Sequence, residues 1–277
     1  MPSEIFLRFF EGKEKALTFS YDDGVEADIR LMDLFNKYGL KATFNLNSGF
    51  FDTSVHARLS EEKMVSAFAQ TNHEIAAHGH RHMSLTQLST VCGIDEVFTN
   101  KKYLEQHFGK FVEGFAYPYG KFNKQVKAYL PLLGFQYART AVKTHSFNLP
   151  EDFMEINPTS HHNDGDLTEL ANLFVNTYPH QNTKKRNPYL FFVFGHSYEF
   201  DDNDNWHIME NFARKVSCKQ DVWYATNIEI VRYIKAFNGL TFSTDGMTVY
   251  NPSCLDVWLE HCGNLQCVPS GQTVKLR

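Results

Sequence analysis

From residue 16 to about 238 the chain alternates short β-branched or aromatic runs with longer stretches of helical apolar spacing. Candidate strands are Ala16–Tyr21, Ala42–Asn47, Glu74–Ala77, Gly114–Tyr117, Tyr137–Ala141, Phe153–Ile156, Phe191–Phe194 and Val222–Ala225. Between them lie helical patterns. In Asp28–Tyr38, Ile29, Met32 and Phe35 recur every three residues with Leu31, Leu34 and Tyr38 beside them, giving one wide apolar face. Ser60 before Glu61 and Glu62 reads as an N-cap followed by acidic first-turn residues, opening a helix to about Gln70. Gly39, Gly109, Gly134 and Gly239 stand where helices should stop. Such alternation predicts an α/β fold with a mainly parallel sheet, and seven or eight units favour closure into a barrel.

After Gly239 the pattern changes. Strand-like pieces at Leu240–Ser243, Met247–Tyr250, Asp256–Glu260, Leu265–Val268 and Thr273–Leu276 are separated by turn signals such as Asp245-Gly246 and Asn251-Pro252. The expected organisation is a barrel over residues 1–239 with a small β appendage, residues 240–277, packed on it, because so short a segment makes a poor independent core.

Composition narrows the function classes. Lys and Arg number 27 against 32 Asp and Glu, a net charge of -5, which provides no electrostatic footprint for nucleic acid. The longest strongly apolar stretch, Tyr189 to Gly195, suits a doubly buried strand and is far too short for a membrane span. Residues 1–20 show no leader pattern, and five Cys without a CxxC pair suggest free thiols in a reducing compartment, so a cytoplasmic location is expected. Cys254, Cys262 and Cys267 lack zinc-ligand spacing and read as thiols packed in the appendage. Aromatic residues make up 15% of the chain, enough for a large core and a ring-lined pocket.

In parallel α/β architectures ligands bind beyond the carboxyl ends of the strands, so the residues just after each strand carry the functional signal. The first candidate strand runs into Asp22-Asp23-Gly24. Adjacent carboxylates repel and a regular strand points them to opposite faces, so both serve one site only where the strand is ending, and a cation would favour the pairing. The third ends in His78-Gly79-His80-Arg81-His82. His78 and His82 can chelate from one turn, whereas an extended segment would put His78, His80 and His82 on one face and leave Asp23 outside the ligand set. The fourth ends in Tyr117-Pro118-Tyr119-Gly120, where Pro118 and Gly120 make a fixed turn able to aim the Tyr119 amide at an oxyanion. The seventh ends in Phe194-Gly195-His196-Ser197, an imidazole after an apolar run.

Taken in order, these motifs resemble those of the polysaccharide deacetylase family, carbohydrate esterase family 4, over residues of about 14 to 238. The resemblance implies a distorted (β/α)7-8 barrel with a divalent metal. It implies Asp22 as catalytic base, Asp23, His78 and His82 as metal ligands, and His196 as catalytic acid. It departs from the family at two places. The family commonly places an Arg two residues before the Pro of its third motif, and here that position is Ala116; Arg139, at the end of the next strand, is expected to supply the guanidinium. The family's Asp and Trp motif before the last His is not recognisable. Asp152 and the Pro158–His162 segment stand in that interval, and His161 is a candidate for lining the site.

The implied reaction is hydrolysis of an N-acetyl group on an amino sugar, oligosaccharide or polysaccharide. Two imidazoles and a carboxylate suit Zn foremost, with Co, Ni or Fe as alternatives. Tyr119, Phe122, Tyr198 and Trp206 are candidate stacking partners for sugar faces, and Pro118 is placed with Tyr119 at the substrate. The acidic run Glu199, Asp201, Asp202 and Asp204 reads as a solvated loop, since it lacks the Gly and terminal Glu of a calcium loop. Two other readings compete: a metal-dependent hydrolase of a small cyclic imide or ureide, and a catalytically silent carbohydrate-binding protein. Retention of both Asp22 and His196 argues against the latter.

Overall fold

The computed structural model describes residues 4–50, 57–69, 71–181 and 186–277. Its elements are β1 (Ile5–Arg8), β2 (Lys15–Asp22), α1 (Ala27–Lys37), β3 (Thr43–Leu46), α2 (Glu61–Phe68), β4 (Glu74–Ala77) and α3 (Thr90–Phe108). There follow β5 (Gly114–Ala116), α4 (Lys124–Tyr129), β6 (Tyr137–Arg139), β7 (Ser160–His161), α5 (Leu167–Asn176), β8 (Tyr189–Gly195), α6 (Tyr198–Asp202) and α7 (Trp206–Val216). The chain ends with β9 (Val222–Tyr224), α8 (Asn227–Asn238), β10 (Thr241–Phe242), β11 (Thr248–Tyr250), β12 (Val257–His261), β13 (Asn264–Val268) and β14 (Thr273–Lys275).

Strands β2 to β9 form one parallel sheet in the order β6-β5-β4-β3-β2-β8-β7. All eight residues of β2 are buried: Leu17, Phe19 and Tyr21 pack against the helices, while Ser20 and Asp22 on the other face meet Asn45 and Arg139 inside the curled sheet. One edge of β2 pairs with β8 from Lys15 to Tyr21; along the other, β9 takes Lys15–Leu17 and β3 takes Ser20–Asp22. The sheet curls. Residues 153–161 run from one of its ends toward the other: Ala138 donates to the Phe153 carbonyl and Ile156 to the Ala138 carbonyl, while Thr159 donates to the Phe192 carbonyl of β8. The expected strand Phe153–Ile156 is therefore reduced to a bridge between Arg139 and Ile156, because this segment crosses from β6 to β8. The alternation favours a barrel, and the curled sheet is the distorted (β/α) barrel that the family resemblance implies.

The helices form where the apolar spacing placed them. α1 buries Asp28, Leu31, Met32 and Phe35. The Ser60 hydroxyl accepts from the Lys63 amide and caps α2, which ends at Phe68; Gln70 lies outside the described residues. Gly109 closes α3 at φ 60, a left-handed turn that suits glycine. Thr226 and Glu229 make a reciprocal capping box on α8.

The C-terminal strands lie close to their expected positions and make two antiparallel sheets, β10-β11-β14 and β1-β12-β13. The second contains an element the sequence reading did not include: β1, from the start of the chain, pairs Ile5–Arg8 with Trp258–His261. Arg8 holds Glu260 at 2.6 Å, both side chains being buried. Val249, Val257, Leu259 and Val268 pack with Ala236 and Leu240 in a small core continuous with α8. The five cysteines are free thiols, Cys254 and Cys262 exposed and Cys267 half-buried.

Candidate active site

The strands of the sheet end around a cleft of about 480 Å³. Asp22, Asp23, His78, His82, Tyr119, Arg139 and His196 all line it, joined by Arg58, Phe50 and Tyr198 among others. Asp23 reaches this cleft because the chain leaves β2 in the left-handed region, with φ 92 at Asp23, and the strand's alternation stops there. His82 (φ 54) and Tyr119 (φ 59) share that uncommon conformation, so three site residues carry backbone strain that the surrounding fold must hold.

Asp22 is the most firmly held of these groups. Arg139 Nη2 lies 2.5 Å from both of its carboxylate oxygens, and the Asn45 amide donates to Oδ1 at 2.8 Å. Burial alone would raise its pKa, but the Arg139 charge, helped by His78 and His196, holds the carboxyl well below the usual range. His196 Nε2 stands 4.0 Å and His78 Nε2 3.8 Å from Asp22 Oδ2.

Asp23, His78 and His82 converge, with one donor atom from each within 4.8 Å of the others. His78 Nδ1 faces the Ala116 carbonyl at 2.8 Å, which puts the proton on that nitrogen and leaves the lone pair on Nε2. His78 Nε2 and His82 Nε2 then point at one another across 3.1 Å. Asp23 Oδ1 is buried without a directed hydrogen bond, although Arg58 Nη2 is 3.1 Å away. Burial, then the neighbouring His78, hold His82 down to about 4, and burial holds His78 low despite Asp22 and Asp23, so both rings are neutral near pH 7. Two lone pairs and an under-satisfied carboxylate oxygen fit a tetrahedral or five-coordinate divalent ion with positions left for ligands. His80 turns away and meets the Ser48 hydroxyl at 2.9 Å, so the extended His78-His80-His82 arrangement is not formed.

The loop is set from beneath by buried amides. Asn100 Oδ1 accepts the His78 amide at 3.0 Å, and Asn47 Nδ2 donates to the His78 and Gly79 carbonyls at 2.7 and 3.1 Å.

On the far side of Asp22, His196 Nδ1 meets Glu199 Oε1 at 2.9 Å. Burial would lower the His196 pKa, but Glu199, Asp22 and Asp23 together raise it. Glu199 Oε2 lies 2.9 Å from His162 Nε2 and 3.4 Å from His161 Nε2. The His162 ring is fully buried between Tyr21 and Phe200, stacked on each. Gly195 makes room for it: a Cβ there would sit 2.0 Å from His162 Nδ1.

Several sequence expectations are corrected here. The acidic run is not a loop; Tyr198–Asp202 is α6, and Glu199 turns inward to the imidazoles because the helix sets it one turn beyond His196. Trp206 is not at the cleft: its ring packs on Phe200 and its Nε1 donates to Asp201 at 2.7 Å. Phe122 stacks on Tyr117 instead of facing the opening. Pro118 is buried under the turn while the exposed Tyr119 ring sits against His82 at 4.5 Å. His161 packs on Phe194 and does not line the cleft. Asp152 is far from His196, pairing with Lys127 at 2.6 Å. Glu199, Arg58 and Asn45 were not read as site residues; only Glu199 carried a signal, the i, i+3 spacing from His196.

Residues 11–138 match the family model for polysaccharide deacetylase. Among solved structures, a Mycobacterium smegmatis protein classed as a candidate polysaccharide deacetylase is similar with a TM-score of 0.59 at 16% identity, over 84% of this chain and 94% of its own. A family 4 carbohydrate esterase from Streptomyces lividans, solved in complex with acetate, is similar with a TM-score of 0.51 at 14% identity, over 76% of this chain and 91% of its own. The Streptococcus pyogenes deacetylase PplD, in complex with acetate, aligns at 22% identity over 50% of this chain and 61% of its own, with a TM-score of 0.46. No curated protein matches the chain. At these identities the structural likeness speaks to the fold alone. Residues 11–138, a little under half of the chain, are thus similar in sequence to the polysaccharide deacetylase family.

Proposed function

We propose that the protein removes N-acetyl groups from an amino sugar, free or within a glycan, as a divalent-metal-dependent hydrolase. The observation that carries this reading is the joining of a base, a ligand triad and an acid in one cleft: Asp22 clamped by Arg139, Asp23 with His78 and His82 on one side, and His196 on the other. A pure binding module needs neither the base nor the acid.

Asp23, His78 and His82 would hold the ion. A divalent cation bound there supplies Lewis-acid polarisation of the acyl oxygen and lowers the pKa of water toward neutrality. Asp22, kept ionised by Arg139, takes the proton of the attacking water. The Tyr119 amide, presented by its positive-φ turn, donates to the oxyanion that forms as the carbonyl is attacked; one such donor is worth about 2.7–4 kcal/mol. His196, protonated with the support of Glu199, gives its proton to the departing amine. Exposed Tyr119 and the nearby Tyr198 flank the opening as surfaces for a sugar ring.

The test is acetate release by zinc-loaded protein, with cobalt in parallel, from a panel of N-acetylated amino sugars and oligosaccharides, run beside cyclic imides and ureides. Acetate release that falls by about 10³-fold or more in Asp22→Asn supports the reading. Ring opening of an imide without acetate release assigns the site to small amides. Glycan binding without hydrolysis of any substrate makes it a binding protein.

A further inference from the structure

We propose that His161, His196 and Glu199 form a second divalent-cation site, separate from Asp23, His78 and His82, and that an ion held there switches hydrolysis off by taking His196 as a ligand. The inhibitory half rests on the acid role given to His196 above; the ion site itself does not.

Three donor atoms, one from each residue, lie within 4.8 Å of one another. Two imidazoles and a carboxylate form the same donor class as the first triad. The spacing favours an ion over a hydrogen bond at one contact. His161 Nε2 is 3.4 Å from Glu199 Oε2, long for a charge-assisted hydrogen bond. Bonds of about 2.0–2.1 Å at a tetrahedral angle place neighbouring donors roughly 3.4 Å apart. The carboxylate is also held in place for this: His162 Nε2 at 2.9 Å and Asn163 Nδ2 at 3.0 Å both meet Oε2. His162 is fully buried behind Glu199, whereas the His161 and His196 side chains are half-buried.

The two sites differ in preparation. His78 already carries its proton on Nδ1, against the Ala116 carbonyl. His161 Nδ1 instead accepts the Asn163 amide at 3.2 Å, so the ring must change tautomer and give up that bond before Nε2 can coordinate. His196 must release its Nδ1 proton to solvent as the nitrogen binds the ion. Asp22 stands between the two groups, 3.8 Å from His78 Nε2 and 4.0 Å from His196 Nε2, and is the nearest carboxylate shielding one cation from the other. The second site is therefore the weaker and, in wild type, fills after the first. An imidazole coordinated through Nδ1 holds its remaining Nε2 proton too tightly to serve as a general acid, so filling this site removes the proton donor.

The experiment is a zinc titration of metal-free protein by calorimetry, with bound zinc counted after removal of free ion. Wild type should bind two ions, the second at least 100-fold more weakly. His161→Ala, and His161→Asn which keeps more of the ring's packing, should bind only the tight ion; His78→Ala should keep only the weak one. Acetate release should rise with the first equivalent and fall with the second in wild type, and show no second-phase fall in the His161 variants. One ion in wild type and in His161→Ala, lost in His78→Ala, overturns the second site and leaves the deacetylase reading standing. Zinc binding in His78→Ala equal to wild type overturns the first site and that reading instead. Two ions without a fall in acetate release overturn the inhibitory role.

Discussion

Arg139 on β6 reaches Asp22 on β2 from across the curled sheet, its Nη2 2.5 Å from both carboxylate oxygens. In the register of the sheet Arg139 on β6 is the partner of Ala116 on β5. The guanidinium that the family resemblance implies at the position of Ala116 is here supplied one strand over, at the same register, by Arg139. The ion pair is buried, Arg139 being 1% exposed, so removal of one partner leaves an uncompensated charge.

Arg139→Ala should lose about 10²-fold or more in kcat, and its acid limb should move to higher pH. The direction follows from Asp22: Arg139 is the largest influence holding its pKa down, so without it the base is protonated over more of the acid range. Stability should fall by about 3–5 kcal/mol, the usual result of breaking a buried pair. Arg139→Lys should recover part of both. A pH–rate profile for Arg139→Ala that overlays wild type would remove Arg139 from the base's environment.

Glu199→Gln addresses the acid. The partial burial of His196 alone would depress its pKa, and the hydrogen bond to Glu199 is the largest influence raising it. Without that carboxylate the ring loses its proton at lower pH, so the alkaline limb of kcat should move down. A loss of about 10- to 100-fold in kcat with little change in KM is expected, the usual range for a partner that orients a functional His. A rise in KM with the limb unmoved would mean that Glu199 touches substrate instead.

The barrel was legible because its signal is local: β2 and β8 are unbroken buried runs, and α1 shows its apolar face directly. The positions of Asp22, Asp23, His78, His82 and His196 at the cleft followed from strand ends alone. What stayed hidden depends on long-range contact. Pairing of β1 with β12 joins residues 250 or more positions apart, and nothing in Ile5–Arg8 names its partner. Glu199 looked like one more acid in a solvated run, and only the turn of α6 shows that it faces His196 and His162. Trp206 looked available for a sugar but is drawn into the packing between α1 and α7, where Arg30 covers its ring.

His80→Ala separates the ligand set from the histidine count of the loop. His80 meets Ser48, not the triad, so zinc content should stay near one tight ion per chain, whereas His78→Ala and His82→Ala should each lose most of it. Metal analysis of the three variants after dialysis checks this. Loss of zinc in His80→Ala to the level of His78→Ala would mean that the loop rearranges when it binds the ion.

Glu74, at the start of β4, sets a pH dependence of stability that has no connection with the cleft. Its carboxylate accepts from the Thr43 hydroxyl and the Ile228 amide at 2.8 Å and from the Tyr137 hydroxyl at 2.9 Å. Burial outweighs these bonds and raises its pKa from 4.5 to about 7. The folded state therefore favours the protonated form. The stability this contributes is fully present below pH 4.5 and is lost as pH rises through about 7, a change on the order of 3 kcal/mol from this one group. Glu74→Gln keeps an acceptor oxygen for Thr43 and Ile228, turns its amide to the Tyr137 oxygen, and cannot ionise. The variant should match wild type near pH 4.5 and exceed it by about 1–3 kcal/mol at pH 8. Asp28, whose burial likewise raises it to about 7, adds a slope of the same sign to both proteins and so cancels in the difference. Urea unfolding at several pH values measures that difference, and parallel curves for the two proteins would show that Glu74 ionises alike in the folded and unfolded chain.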